Sequence, residues 1–263
     1  MLQLTDFQLI LIALVFVWSG FVRSGLGFGG AVLSLPFLLL IDNHPLVYLP
    51  IISVHLLVFS SAIWIQNYLI KQKYFNKQQG GLLPEVEGGV DWAYLKKALA
   101  IMIIPKLVGV LGLLTLPTEI MSKIIFTIVG GYAISYIINR PFTSKSPALD
   151  TGLLVLGGYI SGTSLIGAPL IMIVFAKHVS RLQLRDTLFA LWFVLVCIKL
   201  SAFMVAGVDL QLKQHIWLLP CAAIGHFVGL RFHNYIVHAD QRIFYHVLGS
   251  VLLLVSVMGL SYG

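Results

Sequence analysis

The stretch RSGLGFGG, residues 23–30, interrupts an apolar run that extends from Phe7 to Ile41. A second stretch, GTSLIGAP, residues 162–169, interrupts the run from about Leu149 to Lys177 in the same way. Because glycine loosens a helix and lets other backbone approach closely, each run predicts a helix, a glycine-rich break and a second helix. The helices after the breaks, about 14 and 10 residues long, are shorter than a span of about 20 residues and are typical of re-entrant or buried segments.

The two broken runs resemble each other in sequence. The triplet Gly20-Phe21-Val22 aligns without gaps to Gly158-Tyr159-Ile160, and the same offset places Gly29 on Gly167. The offset, 158 minus 20, is 138 residues. This likeness predicts an internal duplication, which is the usual construction of secondary transporters.

The composition of the whole chain is that of a membrane protein. Of 263 residues, 59% are apolar and 10% are charged, whereas soluble domains carry roughly 25% charged residues. Mean hydropathy is +0.95, and so little polar surface excludes a soluble enzyme or a nucleic-acid-binding domain. Six further segments are apolar and long enough to span a membrane, at about 46–69, 98–116, 119–138, 184–206, 215–235 and 241–261. The longest polar loop runs from about Lys71 to Asp91.

The lysines and arginines of the loops decide between two topologies. If each broken run crosses the membrane once, these cations divide eight against six and give no orientation. If each run is a hairpin that returns to its own side, twelve lie on one side and two, Lys123 and Lys213, on the other. Because cytoplasmic loops carry the excess of positive charge, we prefer the hairpin topology, with both termini outside the cytoplasm. The same bias accounts for the net charge of +7 without a nucleic-acid partner.

The sequence therefore predicts an all-α polytopic membrane protein made of two repeats, residues 1–140 and 141–263. Each repeat is a broken, re-entrant helix hairpin followed by three transmembrane helices. Each then crosses the membrane an odd number of times, which inverts the second repeat relative to the first. In this arrangement the two hairpins enter from opposite faces and their tips meet near the midplane.

Three basic residues belong to no loop: Arg23 at the first break, and Lys106 and Lys199 inside apolar segments. A lysine at bilayer depth costs about 2.5–3.5 kcal/mol and usually faces a polar cavity. The alternatives are snorkelling to the headgroups or a bond to backbone carbonyls, and Arg23 can equally clamp its own hairpin. All ten acidic residues fall in loops or at segment ends, so a bound anion is the expected counter-ion.

The glycine-rich breaks predict an anion site as well. Each break ends at a new helix N-terminus, near 28–31 and near 168–170, where free N–H groups and the helix dipole favour anions. The predicted site for the substrate combines backbone groups, hydroxyls and cations from both breaks: Gly27, Gly29, Gly30, Gly167, Ser24, Thr163, Ser164, Arg23, Lys106 and Lys199.

Two histidines, His55 and His226, lie inside apolar segments. Such a residue is more often part of the packing than a ligand, but either histidine is a candidate to carry a coupling proton. Gly225 and Gly229 form a pair of small residues four apart, which predicts close helix packing rather than substrate contact. The sequence shows no nucleophile–base pair, no metal-ligand cluster and no phosphate loop, so we expect no enzyme activity, no cofactor and no metal.

In their order and spacing, the glycine motifs resemble the TauE/SafE-like sulfite and organosulfonate exporters, also called the toluene sulfonate uptake permease family. The motifs that carry the likeness are Gly20–Val22, Gly27–Gly30 and Pro36–Leu39 in the first half, and Gly158–Gly162, Gly167–Pro169, Arg185–Leu188 and Trp192–Phe193 in the second. The chain departs from the family pattern at Arg23, Ala31, Leu165 and Ala168, where small residues or glycine are more usual, and Lys106 has no counterpart in it. The resemblance implies transport of sulfur oxyanions or organosulfonates across a bacterial-type inner membrane, coupled in some members to ions or protons.

The sequence thus predicts a secondary transporter, with export favoured by the resemblance, for a sulfite- or sulfonate-type anion held between the two hairpin tips. The expected partners are this small anion and the lipid bilayer, and a homodimer is left open. One alternative is a transporter for another solute, such as a carboxylate or a metal cation; the metal would require His55, His226, Cys197 and Cys221 to converge. The other alternative is a membrane protein that binds a partner or a lipid without transport.

Overall fold

The computed structural model describes residues 4–26, 30–77, 89–138, 146–238 and 241–262. Within these ranges all regular secondary structure is α-helical. The helices, in chain order, are α1 (Asp6–Leu26), α2 (Gly30–Ile41), α3 (Pro45–Lys77), α4 (Trp92–Thr115), α5 (Thr118–Ile137), α6 (Pro147–Ser164), α7 (Ala168–His178), α8 (Arg181–Val205), α9 (Leu212–His238) and α10 (Gln241–Tyr262).

All six segments that the sequence predicts as long apolar helices are helical. Within the described residues, five helices are long and apolar enough to cross a membrane, namely α1, α3, α4, α5 and α8. The chain is therefore a multi-pass membrane protein. One boundary is wrong: α3 continues to Lys77, six residues into the stretch predicted as a loop from Lys71, and residues 78–88 of that stretch lie outside the described ranges.

Both apolar runs break where the glycine-rich motifs predict it. The first run divides into α1 and α2 on either side of residues 27–29, which lie outside the described ranges, and α2 begins at Gly30. The second run divides into α6 and α7, and α7 begins at Ala168 with Pro169 in its first turn. Leu165 ends α6 in the left-handed region, with φ of 62°, a conformation that glycine adopts without strain but leucine rarely adopts.

Each broken run folds back on itself. The side-chain amide of Gln8, near the start of α1, donates to the carbonyl oxygen of Ile41 at the end of α2 over 3.1 Å. In the second run, Asp150 in the first turn of α6 accepts hydrogen bonds from Lys177 and His178 at the end of α7, at 2.9 and 2.8 Å. In both runs the first and last residues therefore lie together, and the break lies at the other end of the pair.

The open ends of the two helix pairs have different neighbours. Next to the end of α2, Asn43 accepts a hydrogen bond of 2.5 Å from Ser122 in the first turns of α5. Near the end of α7, the ring of His178 stacks on Tyr94 in the first turn of α4, with centroids 5.1 Å apart. The first pair thus opens beside the start of α5, and the second beside the start of α4.

Glycines bring four helices into backbone contact, α1 against α9 and α4 against α6. A Cβ atom on Gly225 would overlap the carbonyl oxygen of Val17, and one on Gly229 would overlap that of Phe21. The prediction that Gly225 and Gly229 serve helix packing is therefore confirmed. On α4, a Cβ atom on Gly109 would overlap the carbonyl oxygen of Tyr159 in α6.

We expect Gly109→Ala to destabilise the protein by about 1–3 kcal/mol, because the backbone of α6 must move away to admit the methyl group. Gly112→Ala is the matched control on the same helix, since the nearest atom to its added Cβ is Leu116 Cδ1 at 3.9 Å. Thermal unfolding in detergent measures both variants. Equal unfolding temperatures for the two variants would contradict the close packing of α4 on α6.

Candidate functional site

A cavity of about 60 Å³ lies between the two breaks. The first break contributes Arg23, Gly30 and Ala31 to its wall, and the second contributes Ser161, Leu165 and Ala168. The remaining lining residues are Val32, Leu56, Ser60, Phe189, Trp192, Leu195 and Val196. No carboxylate is among these residues, and Arg23 is the charged one.

The internal duplication maps one wall of this cavity onto the other. The offset of 138 residues that aligns Gly20 with Gly158 also aligns Arg23 with Ser161 and Gly30 with Ala168. Both members of each pair line the cavity. Gly30 is the first residue of α2 and Ala168 the first residue of α7, so two helix N-termini meet at the same space.

Arg23 has hydrogen-bonding capacity left over. Its side chain is buried, and Nη1 donates to the carbonyl oxygen of His55 over 3.3 Å. The guanidinium lies 4.2 Å from the centroid of the Phe59 ring, a cation–π contact that holds its plane. Its Nε has no hydrogen-bond partner among the described residues. Because guanidinium has five N–H donors, Arg23 can still bind an anion in the cavity.

Lys106 reaches the cavity through Ser161. The lysine is fully buried, and Nζ donates to the hydroxyl of Ser161 over 3.1 Å and to its carbonyl oxygen over 3.3 Å. The Ser161 hydroxyl therefore accepts from an ammonium, which leaves its own hydrogen to be donated elsewhere. Since Ser161 lines the cavity, that hydrogen can be donated to a molecule bound there.

Lys199 binds the next carbonyls along the same helix. It is also fully buried, and Nζ donates to the carbonyl oxygens of Gly162 and Thr163, over 2.7 and 3.2 Å. These carbonyls belong to the last turn of α6, where a helix leaves its C=O groups without partners. Together with Lys106, this lysine therefore stabilises the end of the broken helix.

Other predicted residues lie near the cavity without lining it. The hydroxyls of Thr163 and Ser164 both donate to the carbonyl oxygen of Ile160 within their own helix, over 3.1 Å each. Ser24 lies in hydrogen-bond contact with the Nδ1 atom of His226. The predicted site residues that the structure brings to the cavity wall are Arg23 and Gly30.

The predicted glycines of the two breaks have different outcomes. Gly27 and Gly29 lie outside the described residues. Gly167 precedes α7 and packs on α6, where an added Cβ would overlap the carbonyl oxygen of Gly157. Close packing of the second hairpin is the role that the structure gives to Gly167.

Comparison with protein families agrees with the glycine motifs. Residues 11–259 match the family model described as Sulfite exporter TauE/SafE. The chain belongs to the TauE/SafE family. No curated protein and no solved structure matches it significantly. The likeness to the family thus covers nearly the whole of this TauE/SafE chain, including both breaks and the cavity between them.

The structure adds residues that the sequence did not single out. Ser161 and Ser60 line the cavity of this TauE/SafE protein, and His215 lies beside His55, with ring centroids 5.2 Å apart. The signal for Ser161 was present in the sequence, because the offset of 138 residues places it on Arg23. In the sequence, Ser60 and His215 carry no comparable mark.

The metal alternative required four residues to converge. Cys197 and Cys221 are free thiols, and His226 lies against Phe59, with ring centroids 5.5 Å apart. Within the described residues, no group of three or more histidine, cysteine, aspartate or glutamate side chains could hold a metal ion.

Proposed function

We propose that this TauE/SafE protein is a secondary transporter that exports a small sulfur-containing anion such as sulfite or an organosulfonate. The anion binds in the cavity between the two breaks. The observation that carries this proposal is the single cavity lined by both breaks and by Arg23, with no carboxylate among its described lining residues. Arg23 balances the charge of the anion, and Ser161 donates a hydrogen bond to it.

The size and the charge of the cavity support a small anion. A cavity needs about 10–15 Å³ to hold one water, so 60 Å³ fits a compact oxyanion without large rearrangement. Three buried cations, Arg23, Lys106 and Lys199, surround the breaks. The helix end bound by the two lysines carries only about half a negative charge, so a net positive potential reaches the cavity.

The first turns of α2 and α7 supply further donors to the oxyanion. Gly30, Ala31 and Val32 at the start of α2 all line the cavity, as does Ala168 at the start of α7, where no side chain caps the helix. Free N–H groups at a helix N-terminus favour anions. In this proposal Gly27, Gly29 and Gly167 allow the backbone to approach, while Ser24, Thr163, Ser164 and Lys199 hold the breaks in shape and add positive charge around the bound anion.

We also propose that the chain consists of two inverted repeats, residues 1–140 and 141–263. The helix contacts support an exchange of partners between halves, because α1 packs mainly on α9 while its counterpart α6 packs mainly on α4. The two hairpins open beside different helix starts and meet at their breaks, as expected if they enter the membrane from opposite faces. The charge bias of the loops then places both termini outside the cytoplasm.

Transport proceeds by alternating access, with one half rocking against the other around the bound anion. An ion or proton gradient drives it, and His55 and His226 are candidates for proton coupling. A homodimer is compatible with this scheme and is not required by it, since the cavity lies within one chain.

Titration of the purified protein tests the proposal. We expect sulfite, sulfoacetate, taurine or thiosulfate to bind, and flux of the bound anion to appear in proteoliposomes. Binding of a divalent metal or of a carboxylate without any sulfur anion would contradict it and favour another solute. Binding without flux would favour a protein that does not transport.

We expect Ser161→Ala to weaken sulfite binding about tenfold, which corresponds to about 1.4 kcal/mol for a hydrogen bond to a charged group. Ser250→Ala is the matched control, because Ser250 lies exposed on α10 and its hydroxyl donates to the carbonyl of His246. Isothermal titration measures both variants. An unchanged affinity in Ser161→Ala would remove Ser161 from the site.

A further inference from the structure

His55 is buried beside the cavity without a polar partner. Its side chain is 2% exposed, and neither ring nitrogen has a hydrogen-bond partner among the described residues. The ring lies between Phe16, with centroids 5.1 Å apart, and His215, with centroids 5.2 Å apart. A buried polar group without a partner is unfavourable, so these nitrogens indicate that water or a proton is held here in some state of the protein.

A second, smaller cavity connects this ring to Arg23. It has a volume of about 10 Å³ and is lined by His55, Ser19 and Arg23 among others. Arg23, Gly30, Ala31 and Leu56 line both this cavity and the larger one. Its volume is close to what one water needs. A proton can therefore move between the His55 ring and the anion cavity through one water beside Arg23.

His215 continues the path toward the loop between α8 and α9. Its Nε2 lies 3.1 Å from the carbonyl oxygen of Leu210, so in the neutral ring Nε2 carries the hydrogen and Nδ1 carries the lone pair. That Nδ1 is buried without a partner among the described residues. The neighbouring loop residue Asp209 is exposed. The two imidazoles thus form a chain of proton acceptors from the loop to the smaller cavity.

The charges around His55 make its protonation depend on the anion. Arg23 from α1 and His215 from α9 are the ionisable groups that act on it, and α2 carries no ionisable side chain. A second positive charge beside Arg23 is unfavourable in a medium of low dielectric constant. An oxyanion bound to Arg23 cancels that repulsion, and the effect is reciprocal, so that a proton on His55 also strengthens anion binding.

We propose that His55 and His215 form the proton-binding site of the transporter, and that it is filled together with the anion site through their shared neighbour Arg23. This inference rests on the proposed function and specifies its coupling. Anion and proton then cross the membrane in the same direction. His226, which contacts Ser24, has no part in this path.

Sulfite flux in proteoliposomes tests the coupling. In wild-type protein, a pH gradient in the direction of sulfite movement should accelerate net flux several-fold, whereas exchange of sulfite at equal pH needs no gradient. His55→Gln and His215→Gln should each lose the acceleration while sulfite exchange persists. His246→Gln, at an exposed position on α10, should keep both. Full acceleration in His55→Gln and His215→Gln, or none in the wild type that does exchange sulfite, would overturn the proton site and leave the proposed function standing.

A measurement without substrate separates the two failures. If the wild type exchanges no sulfite, the proposed function fails, and 15N NMR of histidine-labelled protein in detergent decides the proton site. The single glutamine variants assign the two rings. We expect His55 and His215 to titrate as a coupled pair and Arg23→Gln to raise the protonation midpoint of His55 by about one pH unit. Independent titration, with no effect of Arg23→Gln, would overturn the inference.

Discussion

The Arg23→Gln protein is expected to bind sulfite about 100-fold more weakly than the wild type, or not measurably. Arg23 is the charged residue of the cavity wall, and its Nε has no partner among the described residues. Glutamine keeps a donor for the carbonyl of His55 but removes the charge and most of the N–H groups. A charge-assisted hydrogen bond contributes about 1.5–3 kcal/mol, and 100-fold in affinity corresponds to about 2.8 kcal/mol.

Two further variants isolate the cause of this loss. Arg23→Lys keeps the charge but loses the planar fork and the stacking on Phe59, so we expect a loss of about tenfold. Arg231→Gln removes an exposed cation of α9 and should bind sulfite as the wild type does. Isothermal titration gives the affinities, and thermal unfolding confirms that each variant is folded. Wild-type affinity in a folded Arg23→Gln protein would remove Arg23 from the site and undermine the proposed function.

The helix breaks could be predicted from the sequence because their causes are local. Glycine clusters interrupt apolar runs wherever they occur, and the proline at position 169 fits the first turn of a helix. The starts of α2 and α7 fall at Gly30 and Ala168, inside the predicted windows. The close packing at Gly225 and Gly229 was predictable for the same reason, since small residues four apart allow two backbones to meet.

The partners of the buried cations could not be predicted, because they depend on which helices pack together. The sequence offered a polar cavity or backbone carbonyls as alternatives for Lys106 and Lys199. The contact between α4 and α6 places Lys106 against Ser161, and Lys199 of α8 reaches the next carbonyls of α6. Hydropathy and spacing carry no information on such pairings between distant segments, so Ser161 entered the site only through the structure.

We expect Lys199→Met to lower the free energy of unfolding by about 2–4 kcal/mol. The substitution removes both hydrogen bonds to the carbonyl oxygens of Gly162 and Thr163, and an unpaired buried group costs about 1–3 kcal/mol. Membrane helices are inserted before they associate, so the insertion penalty of the lysine is present in both states and does not offset this loss. Thermal unfolding in detergent, with Lys123→Met at an exposed position of α5 as the control, measures the difference.

The same variant separates structural support from direct contact with the anion. If Lys199 acts by holding the end of α6, sulfite affinity measured well below the unfolding temperature should fall by no more than about tenfold, as for the loss of one indirect charge effect. If Lys199 binds the anion directly, affinity should fall as far as in Arg23→Gln while the unfolding temperature stays near that of Lys123→Met. Because the ammonium of Lys199 is fully buried against two carbonyls, it must leave them to reach the cavity. A large loss of stability with a small loss of affinity is therefore the result that the geometry of α6 requires.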